Sequence, residues 1–174
     1  MIVVVMGVSG VGKTTVGIAL ARRLGWPFLD ADDFHPAANV EKMHRGVPLT
    51  DDDRRPWIDA IGRELARQTD EGADVVLACS ALHRWHRDAL RTGARGADVR
   101  FVYLRAAYDE IDRRLRARTG HFMPESLLRS QFDTLEPPDA TEALAVDAAA
   151  PPDAVVDAIV RGLALGSAAR RPGA

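Results

Sequence analysis

MIVVVMGVSGVGKT, residues 1–14, decides the architecture of this chain. Ile2 to Met6 is an unbroken apolar run rich in valine, the composition of a strand buried on both faces. At Gly7 the run breaks into a glycine-rich loop. Lys13-Thr14 then open a helical pattern, with Val16, Leu20 and Leu24 spaced at i, i+4 and i+8. The loop Gly7-Val8-Ser9-Gly10-Val11-Gly12-Lys13-Thr14 is a complete G-x-x-x-x-G-K-[ST], set between strand and helix as that motif requires. Backbone N–H groups converge on phosphate oxygens only where side chains stay clear, which explains glycine at 7, 10 and 12. The positive end of the following helix adds to the same anion site. Lys13 can reach β- and γ-phosphates, and the Thr14 hydroxyl can ligate Mg²⁺. The loop therefore predicts a nucleoside triphosphate with Mg²⁺.

Outward from this loop, strands alternate with helices. Pro27 to Asp30 is a short second strand that turns acidic at Asp30-Ala31-Asp32-Asp33. Pro36 to about Met43 reads as a helix. Thr50 followed by Asp51-Asp52-Asp53 is an N-cap cluster, with Pro56 fitting the first turn and Trp57, Ile61 and Leu65 marking one helical face. Val75 to Cys79 is a third strand, followed by a helix over roughly 81–92. Val99 to Leu104 is a fourth strand, and Tyr108, Ile111 and Leu115 mark the next helix. Thr119 to Pro124 interrupts it; Leu128 and Phe132 lie on a short helix beyond. Ala143 to Val146 is a fifth, weaker strand, and Val155, Ile159 and Leu163 mark a last helix. The pattern predicts an α/β fold of three layers, a five-stranded parallel sheet with helices on both faces. Residues 1–166 read as a single domain and 167–174 as a flexible tail.

Composition narrows the partners. The 174 residues are 47% hydrophobic and 28% charged, with a formal net charge of −2. That balance gives no electrostatic support to a nucleic-acid partner. The single cysteine, Cys79, lies in an apolar run, excludes an intrachain disulfide, and suits a reducing cytoplasm. No apolar stretch reaches spanning length, so no membrane partner is expected, and Ile2 to Met6 is expected to be a strand rather than a signal peptide.

In such sheets ligands bind beyond the carboxyl ends of the strands. Asp30, Asp32 and Asp33 fall at one of these ends. One carboxylate there can serve Mg²⁺ and another can take the proton of an attacking hydroxyl. The third strand ends in Ser80 without an aspartate, so the metal role falls elsewhere, first to Asp30 and then to Asp32.

Four blocks, DADDFHPAANVEKM, PLTDDDRRPW, ACSALHRWHRDALR and GHFMPESLLRSQFDTLE, resemble the gluconokinases, P-loop small-molecule kinases related to shikimate and adenylate kinases. The resemblance runs from Gly7 to about Glu136. It implies the P-loop kinase fold, a helical substrate-binding segment over about 35–68 and a lid over about 118–131. It implies ATP-dependent phosphorylation of the 6-hydroxyl of D-gluconate to 6-phospho-D-gluconate, in carbohydrate acid catabolism. Many relatives are dimers, so a homodimer is a form to expect. One departure is His83-Arg84-Trp85-His86-Arg87, where relatives are usually richer in lysine and tyrosine.

Gluconate offers one carboxylate and a chain of hydroxyls. Arg54, Arg87 and Lys42 are the candidate cations for the carboxylate, although Lys42 also reads as a solvated helix lysine. Asp33, His35, Ser80, His121 and Gln131 are the candidates for the polyol. Arg114 and Arg118 fall at i, i+4 before Gly120, with Arg118 assigned to the transferring phosphate and Arg114 to the adenine side. Two other readings compete: a shikimate or nucleotide kinase of the same architecture, and a nucleotide-binding regulatory module. The DADDFHPAAN and GHFMP blocks argue against the first. Lys13, Thr14 and the aspartates argue against the second.

Overall fold

Alternation along β1 (Ile2–Met6) sends Val3 and Val5 into one apolar layer and Ile2, Val4 and Met6 into another, so this strand needs cover on both faces. The structure, a computed structural model, describes residues 1–117 and 125–165. In it β1 lies at the centre of a five-stranded sheet with β2 (Phe28–Asp30), β3 (Val75–Ala78), β4 (Val99–Arg105) and β5 (Ala143–Asp147). The order is β2-β3-β1-β4-β5 and every pairing is parallel. The expected sheet is therefore present.

One face is covered by α1 (Lys13–Leu24), α5 (Tyr108–Ala117), α6 (Glu125–Thr134) and α7 (Pro152–Gly162), which supply Val16, Leu20, Ile111, Leu128, Val155 and Ile159 to its core. The other is covered by α3 (Asp51–Asp70) and α4 (Arg84–Gly93), through Trp57, Ile58, Ile61, Leu65 and Leu90. A shorter α2 (Ala37–His44) precedes α3. No described helix is long and apolar enough to cross a membrane.

Local chemistry explains the boundaries. Thr50 and Asp53 form a reciprocal capping box at the start of α3, which begins at Asp51. Pro56 consequently falls in the second turn rather than the first. The helix read as 81–92 starts later, at Arg84, because Ala81 adopts a left-handed φ of 43° and cannot be helical. The Arg84 N–H then finds its acceptor in the Glu136 carboxylate at 2.7 Å.

Helices α3 and α4 touch backbone to backbone. A Cβ at Gly93 would lie 2.7 Å from Gly62 Cα, whereas one at Gly62 would lie 3.4 Å from Gly93 Cα. Gly93→Ala must push two backbones apart, at an expected loss of about 1–3 kcal/mol, the usual range for overpacking. Gly62→Ala should cost less. Urea unfolding of the two variants measures the difference, and equal stabilities would refute this account of the crossing.

Candidate active site

The phosphate loop connects β1 to α1. Gly7 has φ 141°, and a Cβ there would stand 2.8 Å from the Leu104 carbonyl oxygen, so a larger residue would displace the loop from β4. Its N–H donates to Ser80 O at 3.3 Å, joining the loop to the end of β3. Gly10 has φ 81° and packs against Leu115 and Ile111 of α5. The Lys13 ammonium reaches back to Val8 O at 3.0 Å. Val8 and Val11 are buried and pin the loop, leaving its N–H groups at the carboxyl end of the sheet.

Thr14 Oγ1 donates to Asp30 Oδ2 at 2.9 Å. This contact brings the motif hydroxyl and the first acidic residue together across the fold, since β3 lies between β1 and β2. Asp30 Oδ1 also accepts from Asp32 N at 3.1 Å, capping a 3₁₀ turn over Ala31–Phe34. The two halves of that carboxylate thus shape the turn and face Thr14. A hydroxyl beside a carboxylate suits a hard divalent cation that keeps most of its waters, so these residues fit Mg²⁺. Asp32 and Asp33 are exposed on the turn, and the Asp32 charge acts on His35.

His35 lies flat on Trp57, with ring centroids 4.4 Å apart and planes within 9°. Trp57 was expected as a helix-face apolar residue. It is that, but its Nε1–H also donates to Ala31 O at 2.7 Å and ties the acidic turn to α3. Arg54, one turn before it, donates to Asp51 Oδ1 at 3.3 Å and acts electrostatically on His35 and His86. His35 and Arg54 thus lie within electrostatic reach of each other and of Asp32 on the acidic turn. Lys42 does not supply a cation there: its ammonium is held by both oxygens of Asp53, at 2.6 and 2.8 Å. That pairing and the Thr50 cap pull the Asp53 carboxyl down to about 2.

Arg87, expected to meet substrate, is 1% exposed and engaged elsewhere. Its Nε and Nη2 donate to the two Glu142 oxygens at 2.7 and 3.1 Å, and Nη1 donates to Ala81 O and Leu82 O at 3.1 and 3.2 Å. It thereby holds the left-handed Ala81 segment that follows Ser80. Nothing in its local sequence signals this, because Glu142 lies 55 positions away. Gln131 reaches the phosphate loop itself, its Oε1 accepting from Ser9 N at 2.6 Å. Arg114 lines a cleft of about 270 Å³ with Gly10, Gly12, Thr15, Ala148 and Pro152, and donates to Ala148 O at 2.6 Å. Arg118 and His121, and the first half of the expected lid, lie outside the described residues. Burial pushes the Cys79 thiol up to about 12, as an inert core cysteine requires.

A family model described as an AAA domain matches residues 2–138. A gluconokinase of Gluconobacter oxydans (strain 621H) is 48% identical over 161 residues, covering 91% of this chain and 88% of the relative. The crystal structure of a gluconokinase from Sinorhizobium meliloti 1021 superposes with a TM-score of 0.84 at 48% identity, covering 93% of this chain and 90% of that one. This chain belongs to the gluconokinase family. A shikimate kinase of Bacteroides thetaiotaomicron, 21% identical with a TM-score of 0.65 over 95% of this chain and 99% of that one, shares the fold alone. The chain is thus a kinase of the gluconokinase family, with a P-loop nucleotide site.

His86 belongs to the segment where this gluconokinase-family chain departs from the expected lysine- and tyrosine-rich composition. It is buried against Trp57, Trp85 and His83, and its Nε2 has no hydrogen-bond partner among the described residues. Burial, with the Arg54 charge, lowers its pKa from 6.5 to about 3. The unfolded chain takes up a proton at this residue below its ordinary value, while the folded chain resists it until far lower. His86 therefore favours the folded state above about pH 6.5 and loses that contribution as pH falls toward 3. Urea unfolding at about pH 7.5 and 5.5 should show a smaller acid loss in His86→Leu than in the parent. Equal losses would contradict this role.

Proposed function

We propose that this protein transfers the γ-phosphoryl group of ATP to the 6-hydroxyl of D-gluconate, giving 6-phospho-D-gluconate and ADP. The observation that carries the reading is the Thr14–Asp30 contact, which joins the hydroxyl of the phosphate-loop motif to the acidic turn. The loop N–H groups and Lys13 receive the β- and γ-phosphates, and the cleft beside Arg114 receives the adenine. Thr14 and Asp30 would hold Mg²⁺, which neutralises charge on the phosphates. Asp32 takes the proton of the 6-hydroxyl as its oxygen bonds phosphorus and the bond to the ADP oxygen breaks. Arg54 receives the gluconate carboxylate, and Asp33, His35 and Ser80 receive its hydroxyls. Arg118 and His121 complete the site from the lid. The single free cysteine, Cys79, supports a reducing cytoplasm as the compartment of the reaction.

A coupled ADP-release assay with ATP, Mg²⁺ and a panel of sugar acids, shikimate and nucleoside monophosphates tests this reading. Phosphorus NMR of the product fixes the position of transfer. Turnover with D-gluconate and a 6-phosphate product are expected. Preference for shikimate or a nucleoside monophosphate would overturn the assignment.

A further inference from the structure

We propose that Asn39 sets the tautomer of His35, so that the imidazole meets the acceptor substrate as a hydrogen-bond donor through Nε2–H. The inference rests on the reading of His35 as an acceptor-side residue and assigns it one atom and one polarity. Asn39, 3% exposed, is then a positioning residue of this site.

The assignment follows from what each partner is able to do. One end of the Asn39 carboxamide lies 2.8 Å from the main-chain oxygen of Asp53. A carbonyl oxygen only accepts, so the atom facing it is the NH₂ nitrogen, Nδ2. The same nitrogen stands 3.4 Å from His35 Nδ1. An amide NH₂ only donates, so Nδ1 presents its lone pair. A neutral imidazole carries a single proton, which leaves it on Nε2. Trp57, parallel to the ring at 4.4 Å, fixes the plane of the imidazole, and Asn39 fixes which edge points inward.

Two charged groups act on this ring. Asp32, on the 3₁₀ turn, favours the imidazolium; Arg54, on α3, opposes it. Burial, the largest influence, also opposes it, so the ring stays neutral at neutral pH. The site then divides its labour. His35 donates to a substrate oxygen, whereas the aspartates accept from substrate hydroxyls. A polyol hydroxyl, which both donates and accepts, satisfies both, and a second positive charge beside Arg54 is avoided.

The test is long-range proton–nitrogen NMR on the full chain labelled with ¹⁵N-histidine, with the His35 signals identified by their loss in His35→Gln. The parent is expected to show unprotonated Nδ1 and protonated Nε2. Asn39→Asp, whose carboxylate accepts instead of donating, should move the proton to Nδ1. A parent proton on Nδ1, or an unchanged tautomer in folded Asn39→Asp, overturns the proposal. Kinetics provide a second arm that does not depend on Asn39→Asp folding. His35→Gln keeps an uncharged N–H donor near the Nε2 position and His35→Leu does not. The KM for gluconate should be about tenfold or more higher in His35→Leu than in His35→Gln, the usual consequence of leaving a buried substrate group unpaired, with the KM for ATP alike in both. Equal gluconate KM values overturn the donor role. Failure of the parent to phosphorylate gluconate would refute the proposed reaction, and the tautomer would still be read from the spectra.

Discussion

Lys13→Ala is expected to fold as the parent does and to lose about 10²–10³ in kcat, the usual effect of removing one well-placed donor to transition-state charge. The Lys13 ammonium reaches across the loop to Val8 O at 3.0 Å, while the buried anchors of the loop are Val8 and Val11. The loss therefore comes from missing charge at the β- and γ-phosphates rather than from unfolding. Steady-state kinetics with a thermal unfolding control separates the two. Near-parental turnover in a folded Lys13→Ala protein would remove the phosphate loop from the mechanism.

Asp30→Asn and Asp32→Asn should each remove most activity, but in different ways. Asparagine at 30 can still accept from Asp32 N, so the 3₁₀ turn survives, while the negative charge beside the Thr14 hydroxyl is gone. That variant should need more Mg²⁺ for half-maximal rate and recover part of its kcat at high Mg²⁺. Asparagine at 32 cannot take a proton, and its kcat should fall by about 10²–10⁴ at any Mg²⁺ concentration, as for loss of a general base. Rates measured across a Mg²⁺ titration distinguish the two. Recovery of both variants at high Mg²⁺ would make Asp32 a metal-side residue rather than the base. Parental rates in both would end the functional reading of the acidic turn.

The phosphate loop was legible because its chemistry is local: strand, glycines, lysine, hydroxyl and helix follow one another within fourteen residues, and each is required by its neighbours. The sheet was legible because a strand covered on both faces must be apolar throughout, as Ile2 to Met6 and Val75 to Ala78 are. His35 and Arg54 were legible as candidates through the blocks that contain them, although not the Trp57 platform under His35, since Trp57 fits a core position equally well by spacing.

What only the tertiary structure decided are pairings between distant residues. Asp30, Asp32 and Asp33 are near equivalents along the chain. Burial of β3 between β1 and β2 brings Asp30, and not its neighbours, onto Thr14. Arg87 reads as a free cation because its carboxylate, Glu142, belongs to the turn before β5. Gln131 looked like a polyol ligand and instead meets the phosphate loop at Ser9 N. A side chain's type states what it is able to donate or accept. Which partner consumes that capacity is set by how the layers pack, because charges and hydrogen bonds act over a few ångströms of space and not along the chain.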